Sequence, residues 1–171
     1  MNRRPILVGI AAVSAIACAI AVAAVVGLGQ RDAAPTVAYT LLDGTRYSTA
    51  QWRGKVVLVN FWATSCTSCV REMPQLAALH DNFKARGFDT LAVSMRYDPP
   101  SAVVDFAQTR QLPFGIAIDN TGAIAQGFGD VRVTPTTLLI DKRGDIALRI
   151  VGTPDFAALN AQIERLLAAP A

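Results

Sequence analysis

One junction in the chain restricts its fold more than any other feature: an apolar strand that leads directly into a Cys-x-x-Cys pair. The segment Lys55–Trp62 is apolar, rich in β-branched residues and too short to show a helical period, which predicts a strand buried on both faces of a sheet. Cys66 and Cys69 follow it. The next residues repeat with a helical period, so the sequence predicts a helix over 67–86 that Gly87 ends.

The rest of the chain after residue 36 alternates between strand and helix patterns. Asp43-Gly44 predicts a hairpin between short strands at 37–42 and 46–48. Further strands are predicted at 89–95, 114–118, 136–140 and 145–151, and further helices at 98–108 and after Thr153 as N-cap, with Pro154 in the first turn. This order predicts an α/β fold with a mixed central sheet, helices on both faces and an N-terminal hairpin.

The N-terminal segment has the pattern of a membrane anchor. Residues 5–29 contain no charged side chain, and a helix of that length crosses a hydrocarbon core of about 30 Å. Arg3 and Arg4 precede it, so the positive-inside rule places the N-terminus in the cytoplasm. The rival interpretation is a cleaved signal peptide with its cleavage site at Ala21-Val22-Ala23. We therefore expect an anchor over 1–30, a linker over 31–36 and one domain over 37–168, with Cys18 as a small apolar residue of the anchor.

Charge argues against nucleic-acid binding. The formal net charge is +3, from 16 basic and 13 acidic residues. Arg3 and Arg4 are the only charged side chains in residues 1–30, so the remainder carries 14 basic and 13 acidic residues and is nearly neutral. A nucleic-acid-binding domain needs a clustered positive face, which this balance does not supply.

The two cysteines of the junction are suited to thiol–disulfide exchange. Cysteines separated by two residues at a helix start can bring their sulfurs within bonding distance. Cys66 faces the unpaired N–H groups and the positive end of the helix dipole, which stabilise a thiolate, so it is predicted to be the more acidic and nucleophilic. Cys69, inside the helix, is predicted to resolve a mixed disulfide.

Two other interpretations of the pair are weaker. A purely structural disulfide closing so small a loop contributes little by entropy. A closed zinc site needs four protein ligands, and the chain offers only this pair and His80. No metal and no cofactor other than the cysteine pair itself is therefore expected.

Pro135 is a second marker, because it directly precedes a predicted strand. A Thr134–Pro135 bond in the cis form, packed against the cysteine pair, would leave the backbone of Thr134 to pair with an extended substrate segment. The alternative is a proline that merely begins a strand at a tolerated position. Trp62 is expected in the core; a second role, flanking the cysteines, stays open, and Trp62 is included with Thr134 and Pro135 as a substrate-binding candidate.

These motifs together resemble the thioredoxin superfamily. They are Phe61-Trp62-Ala63-Thr64 before Cys-x-x-Cys, Pro74 five residues after the second cysteine, and a later Thr-Pro before a strand. The Asp43-Gly44 hairpin, the run Gly54–Trp62 and Glu72-Met73-Pro74 make the chain similar to the membrane-anchored TlpA/ResA-like thiol–disulfide oxidoreductases of the bacterial cell envelope.

The resemblance implies an inner-membrane protein whose C-terminal domain lies in the periplasm and exchanges disulfides with client proteins. It implies reduction of clients, with cytochrome c maturation or copper-site assembly as examples, and a membrane electron donor of the DsbD/CcdA type. The chain departs from the family at two positions. Ser65 replaces the usual tryptophan before the first cysteine, and Ser68 replaces the frequent proline before the second.

Glu72 is the candidate proton carrier. Asn60 occupies the place where thioredoxins have a buried, titrating aspartate, and it cannot titrate. Glu72 lies three residues after Cys69, about one helical turn, and ResA-like proteins have a glutamate at this motif position. The alternative is an ordinary acidic residue near a helix start, where the dipole favours it.

Two other functions on the same fold stay open. A Sco-like copper chaperone needs two cysteines and a distal histidine, whereas His80 is the only histidine and is predicted to be a structural or surface residue rather than a ligand. A thiol peroxidase needs a threonine three residues before its reactive cysteine, a position that Ala63 occupies.

Overall fold

A computed structural model of the chain describes residues 32–171. The predicted anchor over 1–30 lies outside the described residues, and so does Cys18. Within 32–171, none of the helices combines the length and the apolar character that crossing a bilayer requires.

The described chain contains seven strands and four α-helices. The strands are β1 (Ala38–Thr40), β2 (Arg46–Ser48), β3 (Val56–Trp62), β4 (Phe88–Ser94), β5 (Gly115–Ile118), β6 (Thr136–Ile140) and β7 (Ile146–Val151). The helices are α1 (Thr67–Phe83), α2 (Pro100–Thr109), α3 (Ala123–Gly127) and α4 (Phe156–Ala168). Short 3₁₀ turns at Thr49–Trp52 and Lys84–Arg86 follow β2 and α1.

The central sheet has five strands in the order β5-β4-β3-β6-β7. β3, β4 and β5 are parallel, while β6 pairs antiparallel with both β3 and β7. The sheet is therefore mixed, as predicted, and β3 is its central strand. All seven residues of β3 are buried, because the sheet is covered on both faces.

Different elements pack on the two faces of the sheet. The longer helices α1, α2 and α4 pack on one face against alternate residues of β3 such as Leu58 and Trp62. The β1–β2 hairpin, Trp52 and the short helix α3 cover the other face, against Val57, Val59 and Phe61. The prediction of helices on both faces is confirmed, but three of the four lie on one face.

The N-terminal hairpin forms as predicted and is attached to the sheet. β1 and β2 pair antiparallel, and Gly44 in the turn between them has φ +86°. Leu41, just after β1, forms an isolated antiparallel bridge with Ala117 of β5. The preceding residues, predicted as a linker, also contact the domain, since Ala34 N–H donates to the carbonyl of Gly144 at 2.8 Å.

The sequence predicts the end of α1 correctly but not the start of α4. α1 and its 3₁₀ extension end before Gly87, whose φ of +87° is left-handed, as predicted. The predicted N-cap of the last helix at Thr153 is wrong. Asp155 is the N-cap of α4, because its carboxylate accepts hydrogen bonds from the N–H groups of Ala157 and Ala158.

Candidate active site

The cysteine pair lies where β3 ends and α1 begins. Cys66 is the N-cap residue of α1, and its Sγ accepts a hydrogen bond from the backbone N–H of Cys69 at 3.2 Å. The two cysteines form a disulfide, with 5.2 Å between their Cα atoms. Cys66 is partly exposed, whereas Cys69 is fully buried. Only Cys66 is thus presented to a partner molecule.

A serine hydroxyl adds to the polar surroundings of Cys66. The Oγ of Ser68 lies 3.4 Å from Cys66 Sγ. A proline at this position could not make such a contact, so this departure from the family pattern places a hydrogen-bond donor beside the exposed sulfur.

Asp98 holds the turn that presents Cys66. Its buried carboxylate accepts hydrogen bonds from the N–H of Thr64 at 2.7 Å, from the Thr64 hydroxyl at 2.5 Å and from the Ser94 hydroxyl at 3.2 Å. Three donors converge on this one carboxylate, two of them from a residue two positions before Cys66. Asp98 therefore ties the cysteine turn to the end of β4.

A buried polar cluster lies below the cysteine pair on the helix-covered face. Asn60 of β3 and Thr137 of β6 are directly paired across the sheet. The side-chain Nδ2 of Asn60 donates to Thr137 Oγ1 at 3.0 Å and to Glu72 Oε1 at 2.9 Å. Glu72 lies on the buried stripe of α1, one turn after Cys69, and is only 1% exposed.

The carboxyl group of Glu72 is perturbed by this environment. Burial raises its pKa from an ordinary value of 4.5 to about 7, although the hydrogen bond from Asn60 lowers it. Since a pKa near neutrality lets a group both take and release a proton, Glu72 has the property required of the predicted acid/base.

The predicted proline loop lies at the same end of the sheet as the cysteines. Thr136 pairs with Phe61 near the end of β3, so Pro135 just before it lies opposite the cysteine turn. The Thr134–Pro135 bond is cis. The Thr134 hydroxyl lies 3.3 Å from the hydroxyl of Tyr97. Within residues 32–171, no hydrogen bond occupies the backbone N–H or carbonyl of Thr134.

An open cleft borders this loop. Its volume is about 530 Å³, and Arg96, Tyr97, Asp130 and Arg132 line it. Tyr97 and Val133 are more than half exposed. The surface beside the cysteine pair thus offers unpaired backbone groups, exposed apolar side chains and a cleft, which suits an extended polypeptide.

Trp62 does not belong to this surface. The side chain is fully buried, and its ring packs against Phe106 of α2 at a centroid distance of 5.2 Å. The prediction that Trp62 contacts substrate is wrong, because residue 62 points into the helix-covered core. The alternative prediction, that it is a core residue, is correct.

His80 lies in the core as well. It is 7% exposed and packs edge-on against Phe114, and burial lowers its pKa. It lies eleven positions after Cys69 on the same helix, a rise of about 16 Å. No group of three or more His, Cys, Asp or Glu side chains within 32–171 is arranged to hold a metal ion. The distal ligand of a copper chaperone therefore cannot be His80.

Two residues of the site are not found by sequence reasoning. Asp98 reads as the polar start of the helix at 98–108, yet its carboxylate turns back to Thr64. Tyr97 carries no motif. The exposure of a tyrosine directly before Asp98 becomes meaningful only when its contact with Thr134 is seen.

The fold and the cysteine pair define the class of protein. A five-stranded mixed sheet, a Cys-x-x-Cys disulfide at the start of its first long helix and a cis-proline before an antiparallel strand are the features of a thioredoxin-fold protein with a redox disulfide.

Comparison with known proteins narrows this class to a family. The sequence matches the Redoxin family over residues 30–163. The thiol–disulfide oxidoreductases ResA of Geobacillus kaustophilus and Geobacillus thermodenitrificans are 35% and 38% identical to it over 133 residues, which cover 78% of this chain and 75% of each relative. The chain belongs to the Redoxin family and is a TlpA/ResA-like thiol–disulfide oxidoreductase.

Solved structures agree with this assignment. A candidate thioredoxin from Neisseria meningitidis, known from a solution structure, is 37% identical with a TM-score of 0.74, over 80% of this chain and 91% of that one. A thiol:disulfide interchange protein from Chlorobium tepidum shares the fold at a TM-score of 0.75, over 82% of this chain and 99% of that one, with 24% identity.

Proposed function

We propose that this oxidoreductase reduces disulfides of client proteins outside the cytoplasm. The observation that carries the proposal is the unequal exposure of the two sulfurs. Cys66 is accessible and caps a helix, whereas Cys69 is fully buried one turn further on. That arrangement separates an attacking thiol from a resolving thiol.

The reaction proceeds in two exchanges. The Cys66 thiolate attacks one sulfur of a client disulfide, so a mixed disulfide forms and the second client sulfur leaves as a thiolate that takes up a proton. Cys69 then loses its proton and attacks Cys66 Sγ, which releases the first client sulfur as a thiolate that takes up a proton from water. The client gains two electrons, and the protein ends with the Cys66–Cys69 disulfide seen in the structure.

Glu72 is the proposed proton acceptor for Cys69. It lies one helical turn away on the buried face of α1, where few other groups can take a proton. With a pKa of about 7, its carboxyl group is available in both protonation states near neutral pH. It takes the thiol proton during resolution and returns it when the disulfide is next reduced.

The proline loop is the proposed docking site for the client. The free backbone groups of Thr134 can pair with an extended segment that carries the client cysteine, while cis-Pro135 shapes the loop at the same end of the sheet as Cys66. The exposed side chains of Tyr97 and Val133 extend this surface.

The proposed direction, clients and electron donor are those that the resemblance to ResA-like oxidoreductases implies. We propose that the chain acts as a reductant, in cytochrome c maturation or copper-site assembly, and that a membrane donor of the DsbD/CcdA type restores its dithiol. The relatives named ResA support this, as does a Chlorobium tepidum structure described as DsbE, which is 31% identical with a TM-score of 0.73.

The proposed location is the inner membrane, with the C-terminal domain in the periplasm. The support is the sequence of residues 1–30, with Arg3 and Arg4 before an uncharged run of anchor length. A reporter enzyme that is active only outside the cytoplasm, fused after Ala171, is expected to be active. Activity of a cytoplasm-specific reporter at the same position would contradict the proposed topology.

Reduction of a model disulfide peptide tests the activity itself. We expect the reduced full chain to convert one peptide disulfide to two thiols per turnover, and the Cys66→Ser variant to lose the reaction. The Cys69→Ala variant is expected to stop at a stable mixed disulfide. A Cys66→Ser variant that still reduces the peptide would refute the proposed mechanism.

A further inference from the structure

Asn60 occupies the centre of the buried polar cluster. It is fully buried in the middle of β3, and its amide nitrogen uses both hydrogens, one toward Glu72 Oε1 and one toward Thr137 Oγ1. Because an amide nitrogen has only two hydrogens, its donor capacity is complete.

The remaining oxygens of this cluster are unpaired. Asn60 Oδ1 and Glu72 Oε2 are both buried and have no hydrogen-bond partner within residues 32–171. A buried acceptor without a donor is costly, and ionisation of Glu72 adds charge to one such atom. Protonation of Glu72 at Oε2 instead introduces a donor on the oxygen that lacks one.

The two oxygens of Glu72 are therefore not equivalent. Oε1 is held as an acceptor by the amide of Asn60, and Oε2 is unconstrained by any partner in the described chain. We propose that Asn60 is a positioning residue that fixes Glu72 Oε1 and so makes Oε2 the oxygen that takes and returns the proton of Cys69. This inference rests on the proton role proposed for Glu72.

Among the groups of the described chain that pack around Glu72, Asn60 is the one that makes a hydrogen bond to its carboxyl. Along α1, the exposed Arg71 directly precedes it, and Cys69, one turn before it, is joined to Cys66 in a disulfide. β3 and β6 present the uncharged Asn60 and Thr137, and α4 presents apolar residues to the same core. Burial is the cause that raises the pKa of Glu72, and the hydrogen bond from Asn60 is the cause that lowers it.

The pH dependence of the second exchange tests the proposal. The reduced full chain carrying Cys18→Ser, which removes the third thiol, reacts with dithiobis-nitrobenzoate, and release of the second thionitrobenzoate reports the attack of Cys69 on Cys66. We expect the apparent pKa of this step to rise by roughly one unit in Asn60→Leu, because a hydrogen bond to the charged carboxylate is lost. In a Glu72→Gln background the same substitution is expected to change nothing further.

Two more variants serve as a control and as a second test. Thr90→Val is the matched control, since Thr90 is also buried and polar, but its hydroxyl has no partner in the described chain; its profile is expected to match the parent. Asn60→Ala tests the proposal if Asn60→Leu fails to fold. It removes the same amide donor to Glu72 Oε1, so the apparent pKa is again expected to rise.

The outcomes separate the two proposals. If Glu72→Gln removes the pH dependence while Asn60→Leu and Asn60→Ala leave it unshifted, the role of Asn60 is refuted and the proton role of Glu72 stands. If Glu72→Gln itself leaves the profile unchanged, both are refuted, whereas the exchange activity of Cys66 and Cys69 is unaffected. An upward shift that persists in the Glu72→Gln background would also contradict the proposal.

Discussion

Cys66 depends on a few neighbouring residues for both its reactivity and its position. The helix start and the N–H of Cys69 are aimed at its sulfur, and Ser68 adds a hydroxyl at 3.4 Å. Asp98 acts through Thr64, whose N–H and hydroxyl donate to its carboxylate, and holds the turn in place. Reactivity and position are thus controlled by different side chains, which can be changed separately.

Removal of the Ser68 hydroxyl is expected to slow alkylation of Cys66 in the reduced protein. A lost hydrogen bond to the thiolate reduces the thiolate fraction, so the rate at pH 7 should fall about two- to fivefold in Ser68→Ala. Iodoacetamide labelling measures it. Ser65→Ala is the control, since the Ser65 side chain is exposed. Equal rates in parent and Ser68→Ala would show that the contact has no role in reactivity.

Removal of the Asp98 carboxylate is expected to destabilise the domain. Asp98→Ala leaves the N–H and hydroxyl of Thr64 and the hydroxyl of Ser94 without their acceptor in a buried site. The expected cost is about 2–4 kcal/mol in the free energy of unfolding, measured with urea. The exposed Asp105→Ala serves as control, and a loss under 1 kcal/mol in Asp98→Ala would contradict the structure.

The elements illustrate what a sequence can and cannot show. β3 and α1 are predictable, since an apolar run and a helical repeat are local patterns, and the turn at Gly87 needs a left-handed residue. The start of α4 cannot be predicted from the sequence, because Thr153 before Pro154 and Asp155 before Phe156 are both acceptable N-cap residues. The choice depends on a distant contact: the N–H of Gly152 donates to the Pro135 carbonyl, and Pro154 is buried.

The same reasoning explains which site residues are predictable. The cysteine pair and the proline before β6 follow from short motifs. The hydrogen bonds that Thr64 donates to Asp98 and Asn60 donates to Thr137 join residues 34 and 77 positions apart, and no local pattern reports them. Alternation along β3 shows which residues share a face with Trp62. The sequence does not show that the long helices cover this face, and for that reason the substrate-binding assignment of Trp62 is wrong.

Substitution of the observed cap distinguishes the two possible starts of α4. Asp155→Ala is expected to cost about 1 kcal/mol in the free energy of unfolding, since two N–H groups of the first turn lose their acceptor. Thr153→Ala is the matched control and is expected to be neutral within about 0.5 kcal/mol. A larger loss in Thr153→Ala than in Asp155→Ala would show that α4 begins two residues earlier.

At the scale of the whole molecule, buried Glu72 couples folding to pH. Its pKa is about 7 in the folded protein and 4.5 in the absence of burial, so the folded state binds a proton that the unfolded state releases. The stability this proton confers is fully present below pH 4.5 and is lost as pH rises through 7. A site poised for proton transfer therefore makes the whole domain less stable at alkaline pH.

Urea unfolding of the oxidised protein between pH 4 and pH 8 measures this coupling. Over that range the parent is expected to lose about 3 kcal/mol of stability relative to Glu72→Gln, which has no titrating group at this position. Glu164→Gln, whose carboxyl is exposed, is the control and should follow the parent. Parallel stability curves for the parent and Glu72→Gln would contradict a raised pKa.

One direct measurement tests whether Cys66 is the attacking thiol and Cys69 the resolving thiol. The reduced Cys69→Ala variant is mixed with a disulfide-containing peptide, and the site of the adduct is determined by mass spectrometry. We expect one peptide on Cys66, retained until a reductant is added, whereas in Cys66→Ser the buried Cys69 forms no adduct in the folded protein. Absence of the Cys66 adduct, or an equal adduct on Cys69 in the native state, would contradict the account.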